Sequence, residues 1–413
     1  MADKKISALS AASALGGTEQ LAGVQSGANV NITPNQLKEF CRTRRNVATG
    51  MIILNVGRDC GQSNHLVQTD ANTIYWVFGG YNDNDLYYQK STNGGVTWGD
   101  PVVITATITV AGIAVWFDKW TPDDTGGKIH VAYLDSASAD ILYKSIDTAS
   151  SDTISSSIQV FNGASSATST NTCLSITKSK AGNILIGFDI DAGTETGFYK
   201  SDNPVTAFTS KTDLNEATSD YYLLFPGSYT ETADINAVFW DRSASQITVK
   251  TFDDSANTWS ESAAVSGSLT SVSSGTVAPQ FAVAVATATI GSLTKGDAYF
   301  AVWSNADTAT AKLRAFKCAG STGTITELTN VISSSGDDQA GAALSIDPAT
   351  GDIYVFYLGL TSGADTAYTS LSVNYKKSSD GGTTWGSETG LTTTNRALTY
   401  ITTSLTFTTN FCV

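Results

Sequence analysis

The chain has 413 residues, of which 41% are hydrophobic, 10% aromatic and only 15% charged. It therefore holds one large domain or two to three ordinary ones, and its Thr, Ser, Asn and Gly suit turn-rich β structure better than a helical bundle. A net charge of -14 argues against nucleic-acid binding, which needs clustered Lys and Arg to displace counterions.

Five scattered cysteines, Cys41, Cys60, Cys173, Cys318 and Cys412, contain no CxxC pair. They suggest neither a disulfide framework nor a zinc site, and fit folding in a reducing cytoplasm. No apolar run reaches the length of a membrane span.

The first forty-five residues differ from the rest. They are rich in Ala, Ser and Gly and carry spaced apolar residues Ile6, Leu9, Leu15, Leu21 and Val24. Lys4 and Lys5 precede small residues, but Ser7, Ser10 and Ser13 interrupt the apolar stretch a secretory signal needs. Further on, Thr33 suits an N-cap, Pro34 the first helical position, and Leu37, Phe40 and Cys41 one short apolar face. Arg42, Arg44 and Arg45 mark a boundary or a protein contact. A segment with so little core is either disordered or docked on a partner.

The run Lys5, Ile6, Ser7, Leu9, Ala12, Leu15, Gly17, Glu19, Leu21, Val24, Gln25, then Ile32, Thr33 and Leu37, resembles N-terminal segments of tailed-bacteriophage virion proteins, including tail fibres and spikes. The resemblance implies an anchor, residues 1–45, mostly extended with one short helix, that folds on other virion proteins of the tail, neck or fibre base. It further implies a homo-oligomer on the particle, assembled in the host cytoplasm. A flexible tail before an unrelated domain is the alternative.

After residue 70 the sequence repeats. IYWVF at Ile74, IHVAY at Ile129, ILIGF at Ile184, INAVFW at Ile235, AYFAVW at Ala298 and IYVFY at Ile353 begin 51 to 63 residues apart. A short apolar strand and a turn precede each, and a polar loop, a third strand and a weaker fourth strand follow. Six units of four strands describe a six-bladed β-propeller over residues 46–413, with a sandwich pair or a solenoid as alternatives. Met51–Val56 and Ala397–Phe407 are spare strand-like segments, either of which could close the ring.

KSSDGGTTW, with Ser378, Asp380, Gly382, Thr384 and Trp385, matches the Asp-box pattern S-x-D-x-G-x-T-W. KSTNGGVTW repeats it with Asn93 in the Asp position, beside Ser91, Gly95, Thr97 and Trp98. Ser145 with Asp147, and Asn257-Thr258-Trp259, are eroded copies. These motifs resemble the sialidase superfamily and related BNR-repeat propellers. The resemblance implies that the boxes are structural turns between third and fourth strands, facing away from any catalytic pocket.

A sialidase would also need three arginines to grip a carboxylate by bidentate forks. Beyond Val47 the chain offers only Arg58, Arg242, Arg314 and Arg396, without the family's R-I-P motif, so no catalytic residue is assigned. The loops between second and third strands place Tyr81, Asp83, Asp85, Asp135, Asp140, Asp189, Asp191, Glu195, Asp241, Arg242, Asp307 and Asp365 on the opposite face. Of these, Tyr81, Asp83, Asp85, Asp135, Asp189, Asp241 and Arg242 are the candidate ligand face. Such an acidic rim repels anionic sugars and offers oxygen ligands of the kind Ca²⁺ takes, or is a set of solvated turns; no cofactor is otherwise indicated. Tyr81, Trp116, Trp120, Trp240 and Trp303 would stack sugars or be buried between blades.

The two histidines, His65 and His130, are expected to be core or turn residues. The expectation is a structural virion protein that displays its propeller to a host-surface glycan or another virion protein. A sialidase-like glycoside hydrolase and a purely architectural collar component are the alternatives.

Overall fold

Each apolar run that repeats in the sequence forms the second strand of a four-position antiparallel sheet made of consecutive strands. The computed structural model describes residues 21–25, 28–32, 65–80, 83, 85–163, 173–190, 195–214, 221–227, 234–241, 246–261, 280–303, 313–320, 323–328, 331, 339–359, 370–398 and 404–407.

Blade 1 comprises Leu66–Gln68, Ile74–Gly79, Leu86–Ser91 and Val102–Thr105. Blade 2 comprises Val110–Phe117, Lys128–Asp135 and Asp140–Asp147, with Thr153–Ile154 and Ile158–Phe161 sharing the fourth position. Blade 3 runs through Cys173–Lys178, Ile184–Ile190, Glu195–Ser201 and Phe208–Lys211, and blade 4 through Tyr221–Pro226, Ile235–Asp241, Gln246–Asp253 and Thr258–Glu261. Blade 5 has Gln280–Val285, Ala298–Trp303, Leu313–Cys318 and Ile325–Glu327; blade 6 has Gln339–Ile346, Ile353–Gly359, Ser370–Ser378 and Thr389–Leu398.

The first strands of blades 2 to 6 approach one another in sequence order, which makes them the innermost strands of a six-bladed β-propeller. Burial follows from that position. Every residue of Val110–Phe117 and of Ile184–Ile190 is buried, whereas the fourth strands are largely exposed. Inner strands covered on both faces thus read as continuous apolar runs, and outer strands carry little hydrophobic signal.

Residues 404–407 link the last blade to the first. The Gln68 amide donates to Ser404 Oγ at 3.1 Å in blade 1, while the Ile346 amide donates to the Leu405 carbonyl at 2.8 Å in blade 6. Ile346 also bridges Thr406 in parallel, and the Phe407 ring meets Tyr354 edge-on at 5.5 Å. Of the two spare segments expected to close the ring, the C-terminal one performs this link; Met51–Val56 lies outside the described residues.

Antiparallel pairing gives the propeller two ends. Turns between first and second strands, and between third and fourth, lie at one end, here the box end; turns between second and third strands lie at the far end. Upstream, Leu21–Gln25 and Ala28–Ile32 form a separate two-stranded sheet, with Leu21 opposite Ile32 and Gly23 opposite Val30. The helix expected after Thr33 lies outside the described residues, as do Ile6, Leu9, Leu15, Leu37 and Phe40. Among the described residues, no helix is long and apolar enough to cross a membrane.

Candidate functional site

Both complete Asp boxes are polar locks built on one serine. Ser378 Oγ accepts the Gly382 amide at 2.8 Å and donates to Asp380 Oδ1 at 2.8 Å. Asp380 Oδ1 then accepts the Thr384 amide at 2.9 Å and Oδ2 the Thr384 hydroxyl at 2.6 Å. The hydrogen bonds from Thr384 hold the Asp380 carboxyl down at about 2. In blade 1, Ser91 Oγ accepts the Gly95 amide at 2.9 Å, and Asn93 Oδ1 accepts the Thr97 amide at 2.8 Å. Here Asn93 Nδ2 donates to Thr97 Oγ1 at 2.8 Å. The Asn-for-Asp exchange is absorbed by reversing one hydrogen bond, because a hydroxyl can donate or accept. Gly94 and Gly95 (φ 68° and 86°) match Gly381 and Gly382 (φ 70° and 88°), left-handed pairs that favour glycine.

The eroded copy in blade 4 is used differently. Asn257 Oδ1 accepts the Thr212 amide at 3.2 Å, and Trp259 Nε1 donates to the Thr212 carbonyl at 2.9 Å. The turn has become a staple onto blade 3. In blade 2, Asp147 Oδ1 accepts the Ala149 amide at 3.1 Å, a local turn cap.

Around His130 the box end also holds charged groups, Asp118, Lys178 and Asp124, that no motif in the sequence marks. Asp118, in the short 3₁₀ turn Asp118–Trp120, is almost fully buried with His130. His130 Nε2 donates to Asp118 Oδ1 at 2.8 Å, and His130 Nδ1 accepts the Tyr143 hydroxyl at 2.7 Å. Lys178 of blade 3 bridges Asp118 and Asp124, and the Lys128 amide donates to Asp118 Oδ2 at 2.8 Å. Burial opposes the charged form of Asp118, but hydrogen bonds from His130 and Lys178 outweigh it and hold the carboxyl well below its usual range. Burial keeps His130 below the ordinary histidine value, so the ring is neutral, and this tautomer satisfies both neighbours. Beside this network Asp123 pairs with Lys295 of blade 5, the blade opposite blade 2 in a six-membered ring, so the blade 2 loop reaches across the axis.

A second set lies further out. Lys90, Lys200, Lys317 and Lys377 occupy equivalent register positions on third strands, opposite Tyr75, Leu185, Tyr299 and Tyr354. Lys90 reaches Asp152 of blade 2 at 2.8 Å and Lys200 reaches Asp254 of blade 4, whereas Lys317 and Lys377 pair within their own blades, with Asp297 at 2.6 Å and Asp352 at 2.9 Å. The recurring Lys near the end of LYYQKS, GFYKS, LRAFK and VNYKKS was the available signal.

At the far end, the candidate acids are occupied with their own loops. Asp83 Oδ2 accepts the Tyr87 hydroxyl at 2.6 Å, which pushes that hydroxyl up to about 12. Asp85 Oδ1 accepts the Thr107 amide at 2.7 Å, Asp135 Oδ1 the Thr109 and Ala137 amides at 3.1 Å, and Asp140 Oδ1 the Gly163 amide at 3.0 Å. Asp189 is buried in the second strand of blade 3 rather than standing on a rim. Tyr81, Arg242 and the side chain of Asp241 lie outside the described residues. Among the described residues, no three His, Cys, Asp or Glu side chains converge as a metal ion would require.

Trp116 and Trp120 are core residues, edge-on to each other at 5.6 Å, and Trp116 Nε1 donates to Thr121 Oγ1 at 3.0 Å; neither stacks a ligand. Arg314 is buried in blade 5 and holds Glu327 with two bonds of 2.8 Å, so its fork is already occupied. His65 is buried, with Nε2 at 3.0 Å from the Ile113 carbonyl. Both histidines thus sit in the core, as expected.

No family model matches the sequence, and no curated protein matches it. Among solved structures, a protein from Lactobacillus plantarum is similar at 12% identity, over 80% of this chain and 85% of that one, with a TM-score of 0.50. A Hadza microbial sialidase is similar at 13% identity over 72% of this chain and 63% of its own, less than two thirds of its length, with a TM-score of 0.47. An ulvan lyase from a new family of polysaccharide lyases is similar at 13% identity over 84% and 88%, with a TM-score of 0.44. At these identities the likeness is one of fold alone.

Proposed function

We propose that this chain is a structural virion protein of a tailed bacteriophage, anchored through residues 1–45 and displaying its propeller toward the host surface or another virion protein. The observation that carries this reading is the N-terminal segment: its motif resembles virion anchors, and among the described residues its hairpin pairs with no blade. A lone two-stranded hairpin is marginal in water, so it needs a surface to dock on. Arg314 supports a non-catalytic propeller, since a carboxylate clamp would have to be assembled without it. The test is particle assembly with a chain lacking residues 1–45. Loss of the propeller from otherwise complete particles is the expected result; normal incorporation overturns the anchor. Release of free sugar from sialosides or host polysaccharide, abolished by Arg242→Ala, would instead establish the hydrolase.

A further inference from the structure

The two complete Asp boxes each border an open cleft, and the two clefts share their lining. In blade 6 the cleft has a volume of about 530 Å³ and includes Tyr375, Lys377 and Trp385. In blade 1 it has about 400 Å³ and includes Tyr88, Lys90 and Trp98 at the matching positions. Thr384 and Thr97, whose hydroxyls the box holds in place, line the two clefts in the same way. Blade 4, whose tryptophan is tied to the Thr212 carbonyl, spends the equivalent indole on a staple.

We propose that these clefts are a matched pair of binding sites for neutral pyranose sugars. Each offers a half-buried indole beside hydroxyls and an ammonium, the combination that receives the apolar face of a pyranose while donating to its hydroxyls. The ammonium does not select an anion, because a carboxylate already neutralises it: Asp352 for Lys377 and Asp152 for Lys90. An ammonium has three donors, so its ion pair leaves capacity for sugar hydroxyls.

The difference between the clefts has a local cause. The blade 1 cleft is narrowed by Asp152, which arrives from blade 2 and also accepts the Tyr75 hydroxyl at 2.5 Å. Asp152 and Ser151 both hold left-handed backbone (φ 59° and 56°), unfavourable for non-glycine residues, so this wall is held in place by its partners. The blade 6 cleft is lined by its own blade alone and takes the bulkier sugar. Blades 6 and 1 are neighbours in the closed ring, so a polysaccharide could engage both clefts and gain by avidity. The clefts would bind sugar whether or not the chain sits on a particle, and particle incorporation reads the anchor alone.

The test uses saturation-transfer NMR on the full chain with methyl glycosides of glucose, galactose, mannose and N-acetylglucosamine, and with N-acetylneuraminic acid as the anionic probe. At least one neutral glycoside should give a signal and the acid none. Ser387→Trp and Asp100→Trp fill the two clefts from exposed positions, where the fold tolerates bulk. Each should lower the signal by about half and the pair by at least tenfold, with circular dichroism unchanged. Lys377→Met, which removes the donor without filling space, should weaken binding to blade 6 severalfold. Silence from every neutral glycoside, binding of the acid alone, or a signal that survives the double cleft-filling variant would overturn the proposal.

Discussion

At the box end of the propeller some aspartates cap turns, as Asp147 and Asp380 do, and others pair with lysine; at the far end the described aspartates of blades 1 and 2 only cap their loops. At the box end Asp118, Asp124, Asp152, Asp254, Asp297 and Asp352 each accept a lysine, and four of these pairs cross between blades. At the far end Asp83, Asp85, Asp135 and Asp140 accept hydrogen bonds from their own or adjacent loops. Paired charges that are partly dry tie blade to blade, whereas an aspartate that caps a turn only fixes that turn. Among the described residues, the lysine–aspartate ties between blades thus lie at the box end.

The largest break in this comparison should come from His130→Ala. It leaves a cavity and a buried Tyr143 hydroxyl without its acceptor, and takes one hydrogen bond from Asp118, which keeps Lys178 and the Lys128 amide; the cost is about 2–4 kcal/mol, readable as a lowered urea midpoint. Asp135→Asn at the far end should cost no more than about 1 kcal/mol, because amide oxygen still accepts backbone N–H groups. Equal losses would mean that the ends do not differ.

Acid sharpens the same contrast. His130 is neutral when folded and titrates at its ordinary value when unfolded, so below about pH 6.5 the unfolded chain binds the extra proton and stability falls with pH. The groups facing this ring are Asp118, Lys178, Lys128 and Tyr143, and Asp118 adds a second loss below about pH 3.8. His130→Gln, which cannot titrate, should flatten the upper step between pH 7 and 5.

Within the box end, glycines separate a lock that is merely turned from one that is also packed. A Cβ on Gly382 would lie 2.3 Å from Leu328 Cδ1 of blade 5, whereas one on Gly94 would meet nothing nearer than the Ala71 carbonyl oxygen at 3.7 Å. Both positions are left-handed, so each alanine costs about 1–2 kcal/mol of backbone strain. Gly382→Ala should cost about 1 kcal/mol more, since Leu328 must move. Thermal melts of the two variants measure the difference, and identical melting temperatures would deny the blade 6 box any packing role.

The fold was legible because burial and periodicity coincide. Second strands such as Ile184–Ile190 are buried throughout, so they read as β-branched and aromatic runs at a steady spacing. Fourth strands such as Phe208–Lys211 are exposed, and no apolar pattern marks their ends. The boxes were legible because their polar lock is local, spanning Ser378 to Thr384. The clefts and the buried network were not, because their members meet through tertiary packing: Lys90 and Asp152 come from different blades, as do Asp118 and Lys178. The far-end position of Asp83, Asp85, Asp135 and Asp140 was legible from the loops they occupy, whereas their partners were not, because an aspartate oxygen takes whichever backbone N–H or hydroxyl the fold brings nearest.

The smallest effect separates a tie between blades from a tie within one. Lys200 and Asp254 are both mostly buried and belong to blades 3 and 4, whereas the side chain of Lys377 is 43% exposed and pairs inside blade 6. Exposed pairs are screened and contribute up to about 1 kcal/mol, and a pair shielded from water keeps more of its attraction. Lys200→Met should therefore lower stability by about 1–2 kcal/mol and Lys377→Met by about 0.5 kcal/mol. Double-mutant cycles with Asp254→Asn and Asp352→Asn isolate the two couplings from the packing of the methionines. Repeating them in 1 M salt should leave most of the Lys200–Asp254 coupling intact while erasing that between Lys377 and Asp352. If salt erased both, the cross-blade lysines would be surface charges like any other, and the box end would owe its stability to the His130 network alone.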